Sequence, residues 1–211
     1  MKAILTIITA LALLLGCAST PQDIPATSVA DLGQRAAQGD LNAMDEIQRL
    51  HAEARKEFPI ESKEFQSHTR EVRSTLDFIA EAVRGNSRKD PAFQSLLHAT
   101  GKLGLRGFIA NAFGIAAARG HEPSLEVLLN HDEYGILLSS AVFGLQGPAE
   151  SGNNRAIRFL ISVIQDDSKK PLWFGASQGL VASSLEGNEE AKAALRKYSE
   201  YNKERLKKQG D

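Results

Sequence analysis

Cys17 is the only cysteine in this chain of 211 residues, and it follows an apolar run, Ala3 to Leu13, through Leu14-Leu15-Gly16. A lone thiol has no intrachain disulfide partner, so its chemistry is that of a single nucleophile or acyl acceptor. Three other groupings carry residue types able to do chemistry. Gly175-Ala176-Ser177-Gln178-Gly179 has the glycine–x–serine–x–glycine spacing that exposes a nucleophilic hydroxyl when it sits on a sharp strand-to-helix turn. His98, His121, His131-Asp132 and Asp166 supply imidazoles and carboxylates of the kind that hold a divalent metal, which would polarise a phosphate and activate water. Gly101-Lys102-Leu103-Gly104-Leu105-Arg106-Gly107 has the glycine density of a phosphate-cradling loop.

Each grouping requires particular elements around it, and those elements are mostly missing. No histidine follows Ser177, and Pro171–Phe174 is too short to be the strand that a nucleophile turn needs. Gly175 and Gly179 then read as small helix-contact residues four apart. His121 and His131-Asp132 fall at the two ends of one short helix, where capping and turn residues are expected anyway. The 101–107 segment lacks the Gly-Lys-Ser/Thr ending and has no feeding strand, so it reads as a connector or an irregular join. Trp173, the only tryptophan, reads as a core plug near a helix start. No catalytic centre and no cofactor are expected. The alternative enzymatic reading is a metal-dependent phosphohydrolase built on His131 and Asp132, by resemblance to helical phosphohydrolases that gather His, His-Asp and Asp around metal.

The Leu14-Leu15-Gly16-Cys17 tetrad resembles the lipobox of bacterial lipoprotein precursors. Lys2 gives a minimal positive start and Ala3–Leu15 an apolar segment too short to span a bilayer, as in a secretory signal. The resemblance implies cleavage between Gly16 and Cys17, and lipidation of the Cys17 thiol and the new amino terminus. Residues 1–16 are thus expected to be signal, 17–28 a lipidated tether containing Pro21 and Pro25, and 29–211 the domain. With Ala18 rather than aspartate after the cysteine, the resemblance implies the outer membrane, facing the periplasm, in an organism with two membranes. Several acyl chains anchor stably where one holds only marginally.

Removing the signal takes away Lys2, leaving 24 basic against 26 acidic residues. A near-neutral chain lacks the basic footprint of a nucleic-acid binder, and the aromatic content of 6% offers little for base stacking.

From about Ser28 the apolar spacing is helical, without hairpin signals or alternating runs. Glu61–Arg84 forms one long amphipathic pattern through Phe65, Val72, Leu76, Ile79 and Val83. Gly39-Asp40, Gly85-Asn86-Ser87, Asp90-Pro91, Gly120, Gly147-Pro148, Gly152, Pro171 and Gly187 punctuate the rest. Aligning Gly144 with Gly179 superposes Gly152 on Gly187, Ala156 on Ala191 and Leu160 on Leu195 without a gap. Gly120-Ser124-Leu128 and Gly39-Ala43-Ile47 repeat the second half of that frame. Each unit predicts two helices joined at the second glycine, a small contact residue, and a buried Leu or Ile one turn later.

The segments 116–131 and 185–198 resemble helical hairpins of the HEAT, armadillo and ankyrin kinds, without the ankyrin Thr-Pro-Leu-His turn. The fold expected is all-α, a right-handed α-α superhelix of the HEAT-like or armadillo type, and such resemblance implies a binding scaffold. The functional expectation is a lipid-anchored envelope protein that binds a protein or peptide, with a structural accessory subunit of an envelope complex as a further alternative. Arg155, Arg158, Lys192 and Arg196 lie off the apolar stripes of the last two second helices and form the candidate partner-binding patch. Lys203–Lys208 places positive charge on a helix C-terminus, where it offsets the macrodipole.

Overall fold

The computed structural model describes residues 28–84, 91–99 and 106–208, and every regular element in it is helical. The helices are α1 (Val29–Ala37), α2 (Leu41–Glu57), α3 (Lys63–Arg84), α4 (Pro91–Ala99), α5 (Arg106–Ala118) and α6 (Glu122–Leu129). They continue with α7 (Leu138–Gly144), α8 (Gln146–Glu150), α9 (Asn154–Gln165), α10 (Trp173–Leu185) and α11 (Glu189–Lys207), a 3₁₀ segment (Asp167–Leu172) preceding α10. Among the described residues no helix is long and apolar enough to cross a membrane.

Four joints share one local design. Gly39, Gly120, Gly152 and Gly187 have φ of 88°, 90°, 82° and 100°, which an L side chain adopts only at a cost. At each, the glycine N–H returns to the carbonyl three residues back, and the next N–H returns to the carbonyl five back, as in Gly152→Ala149 and Asn153→Pro148. This is a Schellman closure, and it satisfies carbonyls that the ending helix leaves without donors. The residue after the glycine then caps the following helix. Asp40, Asn153 and Asn188 accept backbone N–H bonds, from Ala43, Ala156 and Ala191 among others. His121 instead bonds the Ser124 hydroxyl through Nδ1, at 2.7 Å. One dipeptide therefore ends a helix, turns the chain and starts the next.

The small residue and the apolar residue of the frame fall where expected. Ala43, Ser124, Ala156 and Ala191 are fully buried, as are Ile47, Leu128 and Leu160. Leu195 departs from the frame, being only partly buried against the core. Its helix, α11, packs on α9 and α10 along one side only, so the position has fewer neighbours than Leu160.

The helices pack in chain order, with α3 standing between the first helices of the Gly39 and Gly120 joints. Thus α1 lies on α3, α3 on α5, α5 on α7 and α8, and α8 on α10. The second helices α6, α9 and α11 touch in the same order. Glycine makes the tightest crossing possible. A Cβ on Gly144 would stand 2.6 Å from the Ala110 carbonyl oxygen, and one on Gly114 would overlap the Gly144 carbonyl. Gly147-Pro148, read as a divider, instead lies within α8; Pro148 has no N–H for the Gly144 carbonyl, so the break falls earlier, at Leu145. Trp173 is buried as expected, its Nε1 donating to the Asp166 carbonyl and its ring edge-on to Tyr201.

These two uses of glycine separate experimentally. Gly152→Ala meets no atom within 4 Å, so its cost is the backbone alone, about 1–2 kcal/mol. Gly114→Ala must push α5 from α7, a strain of about 1–3 kcal/mol, whereas the exposed Gly107 has open space around it and its Ala variant is expected to be neutral or slightly stabilising. Urea titration checks the order; equal midpoints for Gly114→Ala and Gly107→Ala would contradict the close crossing.

Candidate functional site

The groups singled out for chemistry are held in structural roles. Ser177 lies inside α10 and its hydroxyl donates to the Phe174 carbonyl, a helical back-bond far from a strand-to-helix turn. His121 caps α6, with its ring edge-on to Phe93. His131, just past α6, contacts the Ile136 carbonyl through Nδ1 at 3.1 Å and sits edge-on to Phe159. Asp132 lies beside it, exposed, while His98 is exposed on α4. Asp166 caps the 3₁₀ segment through the Ser168 N–H, and the Ser168 hydroxyl on the same oxygen, with that N–H and Lys169, holds its carboxyl below the usual range. Among the described residues no three His, Asp or Glu side chains come together as a metal cluster. Gly16, Cys17 and Gly101–Leu105 lie outside the described residues.

Arg155, Arg158, Lys192 and Arg196 do point outward from α9 and α11, but two of them are answered by carboxylates. Arg155 pairs with Glu122 and with Glu126 across from α6, and Lys192 pairs with Glu189 on its own helix. Arg158 and Arg196 are exposed, Arg196 helping Lys192 to hold the Glu189 carboxyl below its usual range. What remains is a mixed charged face.

A concavity lies elsewhere, between helices that no local sequence pattern brings together. A groove of about 1040 Å³ runs between α2, α3, α5 and the α7–α8 pair. Its floor is low because α5 offers Asn111, Gly114 and Ala118 there, beside Ile115. The α3 wall gives Val72 and Leu76; Leu76 belongs to the apolar stripe of α3 yet is only half-buried, because it faces this opening. Phe143 stands at the far rim, 49% exposed, and Gln146 beside it donates through Nε2 to the Gly175 carbonyl of α10.

Charge in the groove is unevenly answered. Arg119 bridges Asp77 and Glu81 of α3, fixing α5 against it. Arg55 of α2 and Arg73 of α3 also line the groove, and neither has a carboxylate partner among the described residues. His51 lines the same wall, stacked on Phe65 and on His68 with ring centroids 5.9 and 5.5 Å away. The buried His51 Nδ1 and His68 Nε2 have no hydrogen-bond partner among the described residues. Burial lowers the His51 pKa below its ordinary 6.5, and His68 and Arg55 act in the same direction.

The signal for this site in the sequence was faint: an isolated histidine on each of two adjacent helices, and arginines two to five residues from each. Nothing local says that α2, α3 and α5 enclose them. Comparison with protein-family models, with curated proteins and with solved structures finds no match to this chain.

A pH dependence follows from the His51 environment. The unfolded imidazole takes its proton near 6.5, while the folded one takes it at lower pH, so this contribution to stability is complete above about pH 6.5. It is lost as the pH falls through the folded value. Replacing His51 with Phe keeps the ring stack and removes the proton site, so the melting temperature should fall less between pH 7 and pH 5 than in the wild type. Identical slopes for the two proteins would contradict the assignment.

Proposed function

We propose that this chain is a lipid-anchored protein of the cell envelope whose helical hairpins form a right-handed HEAT-like or armadillo-type superhelix, and that the superhelix is a scaffold for another protein or peptide. The repeated Gly-turn joints and the packing of the helices in chain order support the superhelical reading, since a lone hairpin cannot cover its own apolar face. The lipobox-like tetrad supports anchoring at Cys17, with the domain facing the periplasm from the outer membrane where two membranes are present. The observation that carries the binding role is the groove of about 1040 Å³, which has half-exposed apolar side chains on its walls and, at its edge, cations without ion-pair partners among the described residues. Ser177 is occupied in a back-bond, Asp166 in a cap, and His121 and His131 in contacts with the Ser124 hydroxyl and the Ile136 carbonyl, so binding is the activity this geometry supports best.

Anchor and scaffold are tested separately. Cys17→Ser is expected to release the protein from the membrane fraction or to leave an unprocessed precursor; unchanged fractionation, with no acyl mass on the N-terminal peptide, would contradict the anchor. For the scaffold, envelopes are cross-linked before solubilisation and the proteins joined to this chain are compared between the wild type and Asn111→Trp. Asn111 is exposed on the groove floor, so the indole fills the groove while stability moves by less than about 0.5 kcal/mol. Loss of a reproducible partner is expected. An identical partner set would place binding on another face.

A further inference from the structure

The groove also carries information about the shape and charge of what fills it. All the elements that wall it are helices, so their backbone N–H and C=O groups are already paired within the helices and no strand edge is offered. An extended peptide laid here would find only side chains such as Gln48 and Asn111 for its amides, at about 1–3 kcal/mol for each group left unsatisfied. A helix brings its own backbone partners. The walls select for a helical occupant.

Its apolar face is matched by Val72, Leu76 and Ile115 in the groove and by Phe143 at the rim. The surface does not stop there. The Phe143 ring lies against the backbone of α10 at Gly175, and the outward face of α10 continues it with Phe174, Val181 and Leu185, spaced seven and four residues apart. Leu185 is 83% exposed and Phe174 58%, in a domain that buries its other α10 apolar side chains, Trp173 and Leu180. The stretch from Leu76 to Phe143 and the α10 ridge are both exposed apolar surface of the sort that marks an interaction site.

The charge is complementary to carboxylates. Among the described residues, Arg55 and Arg73 on the α2–α3 side have no ion-pair partner, while Asp77 of that wall is taken by Arg119. Glu150 stands at the opposite end, on α8, also without an ion-pair partner among the described residues. Resting on the scaffold reading above, we propose that the groove binds an amphipathic α-helix of a partner protein, its apolar face on the track from Leu76 to Phe143 and its Asp or Glu side chains on the flank facing Arg55 and Arg73. Rim charges of this kind set orientation and partner choice.

The probe is a display library of helix-forming peptides about 15 residues long, near the length at which isolated helices persist, selected on the full chain. Enriched sequences are expected to show apolar residues at i, i+3, i+4 and i+7 with an excess of Asp and Glu beside them. They should bind the Arg55→Glu/Arg73→Glu double variant at least about tenfold more weakly, equivalent to about 1.4 kcal/mol. Phe143→Ser, an exposed substitution that spares the core, should weaken them independently. Enrichment of basic or non-helical sequences, undiminished binding to the double variant, or no enrichment at all would overturn the proposal. So would retention of the Cys17→Ser chain on phosphatidylcholine vesicles that is lost on Phe174→Ser/Leu185→Ser, because the ridge would then belong to lipid. If Asn111→Trp strips envelope partners while the library fails, the helix assignment alone falls; if Asn111→Trp keeps them, the scaffold reading falls with it.

Discussion

The structure depends on one turn. A glycine with positive φ closes a helix by returning two N–H groups to its last carbonyls, and the following Asp, His or Asn opens the next helix. The same two-residue joint recurs at Gly39, Gly120, Gly152 and Gly187, so four helix pairs are turned by one local geometry. The small residue three positions after the cap is then buried at every joint, and the apolar residue four further on enters the core at three of the four. Core packing does the rest, since a fully buried Leu or Ile contributes about 1.5–3 kcal/mol relative to exposure.

That constraint explains why the fold was largely legible in the sequence. A helix stop, a cap and a buried small residue within five positions are local events, and local chemistry is written in adjacent residues. The 32- and 35-residue spacings between Gly120, Gly152 and Gly187 could therefore be read directly. The exceptions are equally physical. Leu195 fits the frame but is only partly buried, because burial depends on what lies beyond α11 rather than on the residues around Leu195. Pro148 sits inside a helix, since the first turn of α8 has no use for its missing N–H. The turn at Gly135 before α7 carries no counterpart in the frame.

The candidate site was barely legible, and the reason is distance along the chain. Arg119 meets Asp77 across 42 residues, His51 meets His68 across two helices, and Phe143 meets the backbone at Gly175. None of these pairs is signalled by spacing within one element. The basic residues on α9 and α11 show the same limit of local information. Helical periodicity turned Arg155 and Lys192 outward and placed Glu189 one turn from Lys192, but could not show that Glu122 and Glu126 of α6 meet Arg155. A cation becomes informative only when the fold leaves it unanswered, as it does Arg55 and Arg73 in the groove.

The central claim is that the working surface is the groove walled by α2, α3, α5 and α7–α8, rather than the outer face of α9. Site-specific photo-cross-linking in living cells addresses it directly, with benzoylphenylalanine placed at Phe143 on the groove rim or at Arg158 on the outer face of α9. Both positions are exposed, so neither substitution disturbs the core. A discrete cross-linked partner from position 143 and none from position 158 is the expected result. A partner captured from position 158 alone would contradict the account.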